Sequence, residues 1–143
     1  METKYGKYIV NEPAGKATGA YPRWITYGDR DFEGAEFSMR IHYIAEPYLM
    51  IKEPHTHDFD QFYLIIGADF ANYRDFDAVV EFSLGKEGEL HVITAPVAVH
   101  IPKGMVHGPL NFKQINRPIL LIDSFLAAGY AMAGKGPPEA PAK

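Results

Sequence analysis

Eleven prolines and thirteen glycines cut this sequence into short runs, and those runs are rich in β-branched and aromatic residues. Runs of that kind, bounded by Gly, Pro, Asp or Asn, read as strands. Strands are expected over 21–27, 35–45, 48–52, 61–66, 78–84, 90–95, 97–101 and 118–125. Gly85-Lys86-Glu87-Gly88 joins two of them as a hairpin turn. Helical periodicity is almost absent, so the expectation is an all-β sandwich or barrel built from short strands. Residues 68–77 are polar and aromatic without a pattern, and read as a loop that includes a short helical turn. Residues 127–143 are small side chains, glycine and proline, too poor in apolar surface to order themselves, and read as a flexible tail.

The chain of 143 residues is long enough for one core but not for two. A formal net charge of −4 leaves no basic footprint, which argues against nucleic acid as a partner. Cysteine is absent, so the fold uses no disulfide, and any metal must be held by nitrogen and oxygen. Residues 1–16 lack the apolar run of a signal peptide, and no stretch approaches the ~18 apolar residues of a membrane span. The expectation is a cytoplasmic protein with no membrane partner.

Chemistry concentrates in two places. His55-Thr56-His57 is followed by Gln61, and Pro102-Lys103-Gly104-Met105-Val106-His107 places another histidine after a proline-glycine turn. Side chains two apart on a strand share a face, so His55 and His57 can point the same way, about 6.5 to 7 Å apart along the strand. A bend, and a neighbouring strand carrying His107, can bring the imidazole tips together around a divalent ion. Imidazole suits zinc, iron, nickel and copper alike, so the spacing indicates a site without choosing its ion.

The patterns His55-x-His57-x3-Gln61 and Pro102-x-Gly104-x2-His107-x3-Asn111 resemble the two motifs of the cupin superfamily. The resemblance implies a cupin jelly-roll β-barrel (a double-stranded β-helix) of antiparallel strands. One divalent transition metal (Fe, Ni, Zn or Mn) would sit inside, open to a small-molecule ligand or substrate. On that reading 35–126 form the barrel, 1–34 supply N-terminal strands and a dimer-contact segment, and 127–143 are the tail. A homodimer is expected, because barrels of this family usually pair through an outer sheet face. Trp24, Tyr21 and Tyr27 read as core or subunit interface.

The chain departs from the family at Gln61, where a glutamate is expected. A site of His55, His57, Gln61 and His107 keeps the full +2 of the ion, polarises bound oxygen more strongly and gives less support to a higher oxidation state. That favours Lewis-acid chemistry of the isomerase or lyase type over oxygen activation. It also predicts that Gln61→Glu tightens divalent binding. Strand parity selects Gln61 as the fourth ligand, since it shares odd numbering with both histidines. Asp60 is the alternative if a bulge turns it inward.

Arg40 and His42 alternate with Met39, Ile41 and Tyr43, so one face of their strand is polar. Facing inward, Arg40 would grip a substrate carboxylate with His42 beside it; facing outward, both are solvated. Tyr63 shares parity with Gln61 and lines the pocket or packs in the core. His91 and His100 read as surface residues, and Asn111 as a structural hydrogen-bonder. Two functions remain open: a metal-dependent enzyme acting on a small carboxylate, carbonyl or enol, and a barrel that binds a sugar or organic acid without turnover.

Overall fold

The computed structural model describes residues 3–11 and 21–130. Nine strands form nearly all of the regular structure: β1 (Arg23–Thr26), β2 (Ser38–Ile44), β3 (Tyr48–Ile51), β4 (Gln61–Gly67), β5 (Ala78–Leu84), β6 (Glu89–Ile93), β7 (Val97–Ile101), β8 (His107–Ile115) and β9 (Ile119–Phe125). They make a five-stranded sheet, ordered β1-β2-β9-β4-β7, and a four-stranded sheet, ordered β3-β8-β5-β6. Every pairing is antiparallel. The two sheets enclose one apolar core, and the fold is an antiparallel jelly roll.

Period-two burial shows how the sequence specifies this arrangement. Ala78, Val80 and Phe82 of β5 are buried, and so are Tyr63 and Ile65 of β4. Strand register then sorts the inward residues of the larger sheet into rows. Ile44, Ile119 and Gly67 form one row, and His42, Leu121 and Ile65 the next. Arg40, Asp123 and Tyr63 follow, and then Ser38, Phe125 and Gln61. The interior therefore runs from an apolar end to a polar end within a single sheet. A lining of that kind indicates a site, because buried polar groups cost stability unless they are paired.

His107 is expected on a strand, but the sequence sets no range for that strand, β8. Gly108, Pro109 and Asn111 look like turn residues, yet β8 lies between β3 and β5 in the smaller sheet. The pairing shifts register between Phe82 and Leu84, opposite Leu110 and His107, and this irregularity accommodates Pro109, which has no N–H for the ladder. Among the described residues the loop 68–77 contains turns and bends but no helical turn. The one α-helical turn among the described residues is Gly28–Asp31. The chain also remains bound past residue 126. Ser38 Oγ donates to the Ala127 carbonyl (2.8 Å), and the Asp29 N–H donates to that of Ala128 (2.9 Å). Residues 131–143 of the expected tail lie outside the described residues. No helix among the described residues is long and apolar enough to cross a membrane.

Candidate metal centre

His55 and His107 are brought face to face by the backbone. Each donates its N–H to the other's carbonyl at 3.0 Å, an isolated antiparallel bridge that extends the β3–β8 ladder. His57 follows two residues later, and its carbonyl accepts the N–H of Gly104 (2.9 Å). That bond ties the first motif to the turn that delivers His107. Gly104 has φ 82°, a conformation glycine adopts without strain. Asp60 fastens the same turn: its carboxylate accepts the Lys103 N–H at 2.7 Å and lies 3.6 Å from His100. Asp60 thus faces the turn and is not part of the histidine group, so β4 carries no bulge that would turn it inward.

The ligand nitrogens of His55, His57 and His107 all lie within 4.8 Å of one another. His55 Nε2 and His57 Nε2 are 3.1 Å apart. Two nitrogens bound about 2.1 Å from one ion at a right angle would be about 3 Å apart, so this spacing suits a shared metal. Nδ1 of His107 is 3.0 Å from the Met105 carbonyl and Nδ1 of His55 is 3.3 Å from that of Glu53. A carbonyl only accepts, so Nδ1 carries the proton and Nε2 the lone pair in each ring, the usual arrangement behind a metal-bound histidine. His107 Nε2 is buried and has no hydrogen-bond partner. Burial pushes the His107 imidazole down to about 4; the Met105 carbonyl opposes the fall, His55 adds to it and the Asp123 charge opposes it. Three ring nitrogens converging in this way fit a divalent metal.

Gln61 is 1% exposed. Its Nε2 donates to Asp123 Oδ1 at 2.8 Å, leaving Oε1 buried without a partner. A carboxylate cannot donate, so the bond fixes which end of the amide is oxygen. The other side of Asp123 receives Arg40, whose Nε and Nη2 lie 3.2 and 2.5 Å from Oδ2. Arg40 thus makes a buried ion pair with Asp123 while lining the cavity.

A cavity of about 640 Å³ opens beside His55, and Arg40, His42, Tyr63 and Asp123 line it. The polar face of β2 does look inward: Arg40 and His42 are 6% and 3% exposed, whereas Tyr43 is 44% exposed. His91 and His100 are exposed, as expected.

Two residues at the site were missed by sequence reasoning. Asp123 is the lone charge in the apolar run of β9, at a buried parity, and that anomaly was the available signal. Tyr130 was assigned to the tail, but its ring lies 4.3 Å from the Arg40 guanidinium carbon, and its hydroxyl is 3.3 Å from His57 Nε2. With Ile25, Tyr27, Phe59 and Phe125 it builds a second apolar cluster beside the histidines. Its only sequence signal is being aromatic among small residues.

No protein-family model matches the sequence, and neither does any curated protein. Solved structures do match. Bacillus subtilis oxalate decarboxylase, studied for its Mn(II) centers, superposes with a TM-score of 0.53 at 12% identity over 85% of this chain and 29% of its own. Recombinant oxalate oxidase in complex with glycolate gives 0.53 at 12% identity, over 87% and 60%. Peruvianin-I, a cysteine peptidase from Thevetia peruviana latex, gives 0.57 at 9%, over 88% and 76%. The chain spans under a third of the length of oxalate decarboxylase.

Proposed function

We propose, from the premise that this chain has the fold of the cupin superfamily, that it is a metal-dependent enzyme acting on a small oxygen-rich acid or carbonyl compound. The observation that carries this reading is the convergence of His55, His57 and His107 beside a cavity whose wall includes Arg40, His42 and Asp123. These histidines, with Gln61 Oε1 as fourth ligand, would hold one divalent ion, Fe, Ni, Zn or Mn. The ion would supply Lewis acidity to a carbonyl or carboxylate oxygen, and the neutral glutamine leaves that acidity undiminished.

The chain's own groups do the rest. Asp123 turns the Gln61 oxygen away from itself, and Arg40 anchors Asp123 in a buried pair. Tyr63 and His42 line the substrate space. Tyr130 closes the side next to His57 and offers a hydroxyl able to hold or pass a proton. Tethered groups of this kind support isomerase or lyase chemistry over oxygen activation, and turnover over simple capture. The same reading includes a homodimer joined through the outer face of the larger sheet.

Cobalt(II) titration tests the metal reading through visible absorption. Wild type should take up one equivalent with ligand-field bands, and His57→Ala should lose the bands and bind at least about tenfold more weakly, a deficit of about 1.4 kcal/mol. Equal binding by the two proteins would overturn the assignment.

A further inference from the structure

His42 is the feature the metal centre leaves unexplained. It is 3% exposed, and neither ring nitrogen has a hydrogen-bond partner. A buried polar group left unpaired costs stability, so such a residue in a cavity wall points to something that pairs with it. Burial, then the charges of Arg40 and Arg23, hold its pKa well below the ordinary value, so the ring is neutral. A neutral imidazole offers one N–H and one lone pair.

The ring stands in the wall of the cavity that also includes His55. It lies two inward rows from Gln61, with the Arg40–Asp123 row between them. His42 therefore meets a part of the ligand that the metal does not hold. Tyr21 and Tyr48 belong to the same wall. The Tyr21 ring meets His42 edge-on at 5.5 Å and Tyr48 at 5.1 Å. These rings give a carbon chain an apolar face beside the imidazole.

The hydrogen-bonding capacity of the ring selects its partner. A carboxylate or carbonyl oxygen only accepts, so it serves the N–H and leaves the lone pair unpaired. A carboxylate also carries a full charge into a buried wall where the Arg40 charge is already matched by Asp123. A hydroxyl both accepts and donates, so two hydroxyls satisfy the two nitrogens without adding charge.

We infer that His42 is a hydroxyl-reading subsite, and that the ligand is a polyhydroxylated acid with its carboxylate at the histidine triad. The inference rests on the proposed metal centre and adds the substrate class. One ligand hydroxyl accepts the His42 N–H, and another donates to the second nitrogen. Reaching them takes a shift of the Tyr21 ring.

The test is calorimetric titration of the cobalt-loaded full-length protein with threonate and gluconate. The comparison acids are 2-hydroxybutyrate and 2-hydroxyhexanoate, which match them in chain length and carboxylate end but lack the distal hydroxyls. At least one polyhydroxylated acid should bind about tenfold or more tighter than its counterpart. His42→Leu should erase that preference and still take up one equivalent of cobalt. Its denaturation midpoint should rise, because two unpaired buried nitrogens are gone. No preference for either polyhydroxylated acid in wild type, or a preference that survives His42→Leu, overturns the subsite. So does a lower midpoint in His42→Leu, which would make the ring a structural part of the core. Failure of wild type to take up cobalt overturns the metal centre and the subsite together.

Discussion

Gln61 shows how one hydrogen bond changes the meaning of a residue. Parity in the sequence gives its side chain an inward direction, and the structure agrees, with 1% exposure. The Asp123 carboxylate 2.8 Å from its amide nitrogen comes from a strand sixty-two residues away and was not legible. This partner revises the expectation that Gln61→Glu would simply tighten divalent binding. Glutamate there would set two carboxylates in contact, and two such groups cannot both ionise cheaply. Gln61→Glu is expected to lower stability by about 1–3 kcal/mol, read as a lower denaturation midpoint. Gln61→Glu/Asp123→Asn restores a donor opposite the new carboxylate and should bind cobalt tighter than Gln61→Glu, but it strips Arg40 of its buried counter-ion and should not recover the midpoint. Wild-type stability in the single variant would show that Asp123 does not orient the amide. The histidines needed no such partner to be recognised, because their spacing carried the signal. Asp60 was ambiguous from sequence because only the fold reveals that it holds the Lys103 backbone.

At the scale of the element, β2 is a strand with its polar face turned inward. Arg40 and His42 are buried while Tyr43 is exposed, the reverse of the usual amphipathic strand. Alternation was legible; its direction was not, since either face of a strand can meet a core. Asp123 on β9 settles it by offering Arg40 a buried counter-ion. Removing one member of such a pair is costly, whereas replacing both with apolar side chains is often neutral. Arg40→Met should therefore destabilise by about 3–5 kcal/mol, and Arg40→Met/Asp123→Leu should regain most of it by chemical denaturation. The double variant should still bind cobalt more weakly, because Gln61 has lost its anchor. Full metal affinity in that double variant would show the ion pair to be structural only. β8 shows the opposite limit: Gly108 and Pro109 hid a strand whose pairing is made by β3 and β5, both distant in sequence.

Across the whole molecule the all-β class, the antiparallel jelly roll and the meeting of the two motifs were legible, because strand punctuation and ligand spacing are local patterns. The polar interior depends on register between β2, β9 and β4, and sequence does not encode register in any local pattern. The outer face of the larger sheet follows the same register. Trp24, Ile41, Ile122, Leu64 and Ala98 form an apolar row across all five strands, with Leu64 40% exposed. An apolar stripe of this kind is a suitable pairing surface. Light scattering should give twice the chain mass, and Leu64→Glu should shift it toward one; a monomeric wild type would contradict the dimer. The measurement closest to the central claim is elemental analysis of protein purified without added metal or chelator, beside His55→Ala/His107→Ala. The account predicts close to one equivalent of Fe, Ni, Zn or Mn in wild type and almost none in the variant. Equal metal in both proteins, or none in either, would contradict it.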